Sequence, residues 1–334
     1  MNTGVTRREL LLGAVGAVGA WALGAPSARA QSKTGGFRFA DNPSISWPQP
    51  YIASQQGLWK KNGIEVLPTP QRFGTGQSSL NALLQSDEVH MAVVAETPVT
   101  LALIAKMPLR LITGLSSTTW KISTRRSAGI GSLAELAGHR LGVAVGTSAE
   151  YFMDSALNSV GLTQKDVTVI NVKPTDMVPA LSGGSLDAFF IWDPFRFEAR
   201  RILGDEYVEL DFPAFRSNSF LVTKADFVER HHDAIAPILK ALIEANGIMA
   251  AAPAESAAYM AGLIGIDPQI ASDIWKAHTY DVALRGDMVK ALENYSRYVI
   301  DKGIVAPGTE IPDFRSTMLI EDLKQVDAGR VDHG

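Results

Sequence analysis

Cysteine is absent from the 334 residues of this chain. We therefore expect no disulfide bond, no thiolate metal ligand, no cysteine nucleophile and no lipid-modified N-terminal cysteine. Positive charge is also in short supply, because 31 Lys and Arg residues stand against 35 Asp and Glu residues, for a formal net charge of −4. Nucleic acid is a poor partner for such a chain.

Motifs of catalysis and metal binding are missing as well. The chain has six histidines, and none has a second ligand at a spacing such as H-E-x-x-H. Residues 74–79 carry two glycines, but they lack the Gly-Lys-Ser/Thr ending of a P-loop and the third glycine of a dinucleotide fingerprint. There is no Gly-x-Ser-x-Gly nucleophile elbow. We accordingly predict no catalytic residue, no metal site and no cofactor.

The first 30 residues have the pattern of an export signal. Arg7 and Arg8 form a twin-arginine start, an uncharged apolar run follows, and residues 28–30 are a small-x-small cleavage site. We expect residues 1–30 to be a twin-arginine signal peptide and the mature chain, starting near Gln31, to be a soluble periplasmic protein. No later apolar run is predicted to span a membrane.

The mature length and the order of elements predict two lobes. Roughly 300 residues exceed a comfortable single core, and strands that alternate with helices predict an α/β fold with central, mostly parallel sheets. We place the first part of lobe 1 in residues 31–121 and lobe 2 in residues 122–217. Residues 218–334 are expected to form a return crossing and C-terminal helices that pack on lobe 1.

Residues 139–152 predict a strand, a Gly-Thr-Ser turn and a helix. The apolar alternation places Val145 in the buried strand, Thr147 and Glu150 have the spacing of a capping box, and Gly161 occupies the C′ position. The first N–H groups of a helix have no internal partner and can hold an oxyanion. Thr147 and Ser148 are thus candidates for an anion site, although a simple helix cap has the same pattern.

Other strand–helix junctions repeat this arrangement. In open α/β sheets, ligands bind at such junctions, beyond the carboxyl ends of the strands. Two lobes facing each other across a hinge would bring the junctions to one cleft, which would close around a ligand. The four predicted junctions are Ser46-Trp47, Thr97-Pro98, Thr147-Ser148 and Asp193-Pro194, with Thr97 as the expected cap of its helix.

Aromatic and acidic side chains accompany these junctions. Tryptophan can cover a small organic group, and Trp120 is favoured because it lies at a crossing, although core packing is the alternative for each aromatic. Glu96 either complements a helix N-terminus or receives a cationic group such as an amine. The predicted ligand-binding residues are Trp47, Glu96, Thr97, Trp120, Thr147, Ser148, Trp192 and Asp193.

Four segments carry a resemblance to a known family: residues 53–64 (ASQQGLWKKNGI), 131–143 (GSLAELAGHRLGV), 146–152 (GTSAEYF) and 191–195 (IWDPF). They resemble the periplasmic substrate-binding proteins of ATP-binding-cassette importers for nitrate, sulfonate, taurine and bicarbonate. The resemblance implies a periplasmic-binding-protein-like fold of two α/β lobes joined by two crossing segments. It also implies a monomer that delivers its ligand to a permease and ATPase, with Thr147 and Ser148 holding the anionic group.

The ligand that this resemblance implies is a small organic anion, namely an aliphatic or aryl sulfonate, a taurine-like compound or a relative of these. A neutral heteroaromatic is the alternative, because a related branch binds the pyrimidine precursor of thiamine. The synthases of that branch use a cysteine-rich iron motif, which this chain cannot supply. An exported enzyme on the same fold is a further alternative, and a sensor module is another.

Overall fold

The computed structural model describes residues 36–69 and 71–332. The predicted signal peptide lies outside these residues. One mixed sheet of seven strands crosses the described part of the chain. Its strands are β1 (Met91–Ala95), β2 (Leu109–Arg125), β3 (Arg140–Val143), β4 (Thr168–Asn171), β5 (Ala188–Phe190), β6 (Tyr207–Lys224) and β7 (His278–Ala283).

Helices connect many of these strands. Several follow the carboxyl ends of strands, and among these α4 directly follows β1, α5 follows β3, and α7 follows β5. The helices are α1 (Gln49–Gln55), α2 (Leu58–Lys61), α3 (Gly76–Gln85), α4 (Glu96–Ile104), α5 (Ser148–Ser159), α6 (Met177–Ser182), α7 (Phe195–Leu203), α8 (Ala225–Arg230), α9 (His232–Ala251), α10 (Pro253–Ile264), α11 (Pro268–Ala277), α12 (Gly286–Asp301), α13 (Phe314–Thr317) and α14 (Ile320–Val326).

The strand directions correct the prediction of mostly parallel sheets. The strand order is β1-β6-β2-β5-β3-β4, with β7 also paired to β2. Only the β3–β4 and β3–β5 pairs are parallel, whereas β2 and β6 are paired antiparallel along most of their length. The reason is that β2 leads the chain from the first half into the second and β6 leads it back, so the two crossings run in opposite directions.

The two crossings are continuous strands, which the sequence pattern did not predict. β2 runs without interruption through 17 residues, and β-bulges interrupt its pairing with β6 at three places. Such bulges bend a strand without ending it. Before β1, isolated bridges join Phe37 to Val66 and Phe39 to Met91 of β1.

Two separate hydrophobic cores flank the crossings. The first core contains Phe220 of β6 and Leu239 of α9, and helices α9 to α12 all contribute to it. The second core contains Phe152 and Leu157 of α5 together with Phe189 of β5. The lobe boundaries proposed at residues 121 and 217 stay predictions, and they fall inside β2 and β6.

Helix α9 contrasts with the expectation that no later segment is apolar enough to span a membrane. It has 20 residues with a mean hydropathy of 1.4, which is long and apolar enough by composition. Its apolar residues Ile235, Ile238 and Leu242 are fully buried in the first core, so packing within the protein accounts for its composition. His231 separates α8 from α9, and Pro237 lies inside α9.

Asp187 ties three strands of the second half together. Its Oδ2 accepts hydrogen bonds from the Arg140 backbone N at 2.9 Å and Nε at 3.0 Å. Its Oδ1 accepts from Arg140 Nη2 at 2.8 Å and Arg125 Nη2 at 3.3 Å. The Arg140 side chain, followed by its backbone N–H and its charge, holds the pKa of Asp187 well below its usual range against the cost of burial.

Replacing Asp187 with asparagine is expected to lower the free energy of unfolding by about 2–3 kcal/mol at neutral pH, because charge-assisted hydrogen bonds are lost. The folded-state pKa is depressed, so this stabilisation is complete above the unfolded pKa of about 4 and is lost as the pH falls towards the folded pKa. Urea unfolding at about pH 7 and about pH 3 measures it. Asp211→Asn, which breaks an exposed pair with Lys121, is the control, and it should lower the free energy of unfolding by less than about 1 kcal/mol. Equal losses of stability in the two variants at pH 7 would contradict the role given to Asp187.

Candidate functional site

A cavity of about 440 Å³ lies between the two cores. Its wall contains the starts of helices α3, α4 and α5, the segments that lead into α1 and α7, parts of both crossing strands, one residue of β7 and one residue of α12. Seven of the eight predicted site residues line it: Trp47, Thr97, Trp120, Thr147, Ser148, Trp192 and Asp193. The four predicted junctions therefore meet at one place, as two facing lobes require.

The start of α5 presents unpaired donors to the cavity. Thr147 caps the helix, since its Oγ1 accepts from the Ala149 N–H at 3.1 Å and donates to the Ala144 carbonyl O at 2.6 Å. Within the described chain, the N–H groups of Thr147 and Ser148 and the Ser148 hydroxyl have no partner. This is the geometry in which a helix N-terminus can bind an anion.

Two local predictions around this turn need correction. Glu150 does not close a capping box on Thr147; its Oε2 accepts instead from the Gly146 N–H at 2.8 Å. Val145 was expected to be buried but is 47% exposed, because β3 ends at Val143 and the chain leaves the sheet there. Gly146 has a φ of 80°, a left-handed conformation that glycine adopts without strain.

A second group of unpaired hydroxyls faces the cavity from the first core. Thr97 and Ser219 are 5% and 7% exposed, both line the wall, and neither hydroxyl has a hydrogen-bond partner among residues 36–69 and 71–332. Thr97 does not cap α4 as predicted, since Ala95 is the N-cap residue and Thr97 lies in the first turn. Its side chain is consequently free to serve the cavity.

Several lining residues were missed from the sequence. The strand residues Ser116, Thr118, Ser217 and Ser219 place hydroxyls on the wall. Their alternation in Ser-Ser-Thr-Thr and Ser-Asn-Ser runs was a usable signal, because every second residue of a strand lies on one face. Other residues that line the wall without having been predicted include Asn42, Thr75, Gly76, Gln77, His278 and Tyr295.

The aromatic part of the wall combines packing with exposure to the cavity. Trp120 is 6% exposed and packs edge-on against Phe152, with ring centroids 5.6 Å apart. Trp192 lies 6.4 Å from Trp120 between centroids. The Trp47 Nε1–H donates to the Asn42 carbonyl O at 2.7 Å. Both interpretations of Trp120, core residue and cavity residue, therefore apply to the same side chain.

Asp193 contributes a carboxylate that is already paired. Its Oδ1 accepts from Arg196 Nε at 2.7 Å, and both side chains are 5% exposed. Its Oδ2 lies 4.0 Å from His278 Nδ1, which donates to the Ile274 carbonyl O at 2.9 Å. Burial lowers the pKa of His278 against the opposing effect of Asp193, so this imidazole is neutral at pH 7. No Lys or Arg is found among the described residues of the wall.

Glu96 is the one predicted site residue that does not line the cavity. It is 2% exposed, and its Oε2 accepts from the Asn218 backbone N at 3.0 Å and Nδ2 at 2.8 Å. Burial raises the pKa of Glu96 to about 7, although the Asn218 hydrogen bonds lower it. The carboxyl group thus joins the start of α4 to the crossing strand β6 behind the cavity wall.

Replacing Glu96 with glutamine is expected to make stability less dependent on pH. The folded pKa of this acid is raised from 4.5 to about 7, so the wild type loses stability as the pH rises through that window, whereas the variant does not. Glutamine keeps an acceptor for Asn218, and the variant should be more stable by roughly 2–3 kcal/mol at about pH 8. Denaturant unfolding of both proteins at about pH 5 and about pH 8 measures this difference in stability. The same difference at both pH values would show that Glu96 does not titrate between them.

A polar bridge joins α5, from the second core, to α12, from the first. Asp154 Oδ2 accepts from Lys302 Nζ at 2.6 Å and from the Tyr298 hydroxyl at 2.8 Å. Its Oδ1 accepts from Gln164 Nε2 at 2.8 Å. Because Tyr295 of α12 lines the cavity, this bridge fastens one cavity wall to the helix that carries the candidate anion site.

Known proteins share this architecture. A Bacillus subtilis protein named for binding aliphatic sulfonates is 26% identical over 272 residues, which are 76% of this chain and 79% of that protein. The crystal structure of the periplasmic aliphatic sulphonate binding protein SsuA from Escherichia coli has a TM-score of 0.71 at 19% identity, over 84% of this chain and 96% of that chain. The periplasmic-binding-protein fold predicted from the sequence is confirmed.

The same fold also occurs in an enzyme. The crystal structure of the desulfurization enzyme DSZB has a TM-score of 0.66 at 15% identity, and the match covers 87% of this chain and 98% of that chain. The fold alone therefore does not separate binding from catalysis. The family is established independently, because the model described as "NMT1/THI5 like" matches residues 48–256, more than half of the chain. This protein belongs to the NMT1/THI5-like family.

Proposed function

We propose that this protein is the solute-binding component of an ATP-binding-cassette importer and that it captures a small organic anion, such as an aliphatic or aryl sulfonate or a taurine-like compound. The observation that carries the proposal is the cavity between the two cores. There, unpaired N–H groups at the start of α5 face the same space as the unpaired hydroxyls of Thr97 and Ser219. Donors that converge from two sides suit the several oxygens of a sulfonate.

We assign two different roles to the residues of the cavity wall. Thr147 and Ser148 bind the anionic group through their backbone N–H groups and the Ser148 hydroxyl, with the dipole of α5 behind them. Trp47, Trp120 and Trp192 cover the apolar body of the ligand. Asp193 keeps its pairing with Arg196 and shapes the wall.

Binding without turnover suits this wall better than catalysis. Its donors are backbone N–H groups, hydroxyls and indoles, and the chain has no cysteine nucleophile. His278 donates its Nδ1 proton to a carbonyl group and is not bonded to a lining hydroxyl that it could activate. An exported enzyme on this fold remains the alternative, and DSZB gives it a precedent at the level of the fold.

Delivery and location complete the proposal. The chain is exported by its twin-arginine signal to the periplasm, binds as a monomer and hands its ligand to a permease with an attached ATPase. The structural neighbour SsuA, which is described as a periplasmic sulphonate-binding protein, supports the proposed location. A neutral heteroaromatic ligand is the second candidate, favoured by the tryptophans of the wall and by the lack of Lys and Arg in its described part.

A thermal-shift screen of the mature protein, followed by calorimetry, tests the proposal. Sulfonates, aryl carboxylates, nitrate, bicarbonate and pyrimidines form the panel. We expect organic sulfonates to raise Tm as binding to the folded state requires, and mass spectrometry should recover them unchanged. A Tm shift produced only by pyrimidines would favour the second candidate, and conversion of a sulfonate to a new product would favour the enzyme.

A further inference from the structure

The charges around the cavity limit what the ligand can carry. Asp193 is the only acidic residue on the described part of the wall, and Arg196 occupies it at 2.7 Å. Neutral His278 adds no charge. An anion is therefore met by dipoles and hydroxyls alone, which suit one delocalised negative charge better than two.

An amine on the ligand would find no free counter-ion. Glu96, the other acidic group nearby, is not part of the wall, and its Oε2 is held by Asn218. A buried ammonium group without a carboxylate partner loses its hydration and gains little in return. The cavity thus selects against ligands such as taurine, in which an amine accompanies the sulfonate.

The aromatic lining of the cavity favours an aromatic ligand. Trp47, Trp120, Trp192 and Tyr295 all line the 440 Å³ cavity, a volume in the range of sites for organic ligands and much larger than nitrate requires. Aromatic side chains gain from stacking on an aromatic ring beyond what area alone provides. A ring is better matched to this wall than a short alkyl chain.

We infer that the ligand is an aromatic monoanion, such as an aryl sulfonate, that carries no amine. This inference rests on the proposed function and narrows it to one class of organic anion. Trp120 is almost completely buried and the Trp47 indole N–H is bonded to Asn42, whereas Trp192 is only partly buried. Trp192 is then the specificity-determining residue that selects the ring, and the absence of a free carboxylate excludes the amine.

Calorimetry at neutral pH with three sulfonates tests both parts. Propane-1-sulfonate and taurine have the same number of non-hydrogen atoms and differ by a methyl in place of an ammonium group. We expect taurine to bind at least about 10-fold more weakly than propane-1-sulfonate, and benzenesulfonate to bind about 10-fold more tightly than propane-1-sulfonate. Taurine binding as tightly as propane-1-sulfonate would overturn the exclusion of amines. Equal binding of benzenesulfonate and propane-1-sulfonate would overturn the preference for a ring.

A variant pair assigns the ring preference to one residue. Trp192→Ala should lose about 10-fold in affinity for benzenesulfonate and about 2-fold for propane-1-sulfonate, whereas Trp192→Phe should keep most of the preference. Equal losses for both ligands in Trp192→Ala would remove Trp192 from the role. If none of the three sulfonates binds to the folded wild-type protein and none raises its Tm, the proposed function itself fails. An altered order of affinities among sulfonates that do bind would overturn only the present inference.

Discussion

Replacing Ser148 with aspartate is expected to abolish binding of benzenesulfonate while leaving the unliganded protein at least as stable as the wild type. Ser148 is the first residue of α5, and its N–H has no partner in the described chain. A carboxylate at that position complements the helix dipole and adds about 0.3–1 kcal/mol to the free energy of unfolding. Inside the cavity, however, the same charge repels an incoming anion, which should cost about 100-fold or more in affinity.

Ser148→Asn is the matched control for this experiment. Asparagine has the size of aspartate and also suits a helix start, but it carries no charge, so it should lose about 10-fold in affinity or less. Calorimetry gives the affinity, and thermal unfolding without ligand gives the stability. If Ser148→Asp still bound benzenesulfonate like the wild type, the anionic group would have to lie elsewhere in the cavity.

Truncating Phe152 to alanine is expected to remove about 3–5 kcal/mol of stability and to disturb the cavity together with the core. Phe152 is fully buried and packs against Trp120, Phe190 and Phe215, with ring centroids 5.6, 5.4 and 4.8 Å away. The hole left behind would free Trp120 to tilt away from the ligand. Denaturant unfolding measures the first effect, and calorimetry at low temperature on folded protein measures the second.

Phe227→Ala separates general destabilisation from damage to the site. Phe227 is 1% exposed and packs against Phe37 in the first core, 5.1 Å between centroids, and it is not part of the cavity wall. We expect a comparable loss of stability with an affinity close to that of the wild type. If both variants lost the same affinity, global stability rather than the position of Trp120 would control binding.

The sequence was most informative where local chemistry decides the structure. Thr147 marked the start of α5 and Gly161 its end. A helix cap and a positive φ each depend on the residue type at one position, so both can be predicted from the sequence, and Gly161 indeed has a φ of 77°. The junctions found in this way, together with Trp120 at a crossing, supplied seven of the eight predicted residues to one cavity.

Pairing between distant segments was not predictable in the same way. Whether Ser219 faces the cavity depends on its register against Ala95 and Ser116, and that register is set by residues more than 100 positions away. The place of Glu96 depended on Asn218, 122 residues further along the chain. A charge beside a helix start looked like a ligand group in the sequence, while in the structure it is a buried link between two elements.

The lack of Lys and Arg on the described wall of the cavity determines how strongly the ligand affinity depends on ionic strength. An exposed arginine that attracts an anion loses its influence as salt rises, because the Debye length shrinks to about 10 Å at 0.1 M. Thr97 and Ser219 are hydroxyl donors that are more than nine-tenths buried, and short hydrogen bonds to such groups are hardly screened. The affinity should consequently change little with ionic strength, which would suit the proposed periplasmic location, where the salt content follows the surroundings of the cell.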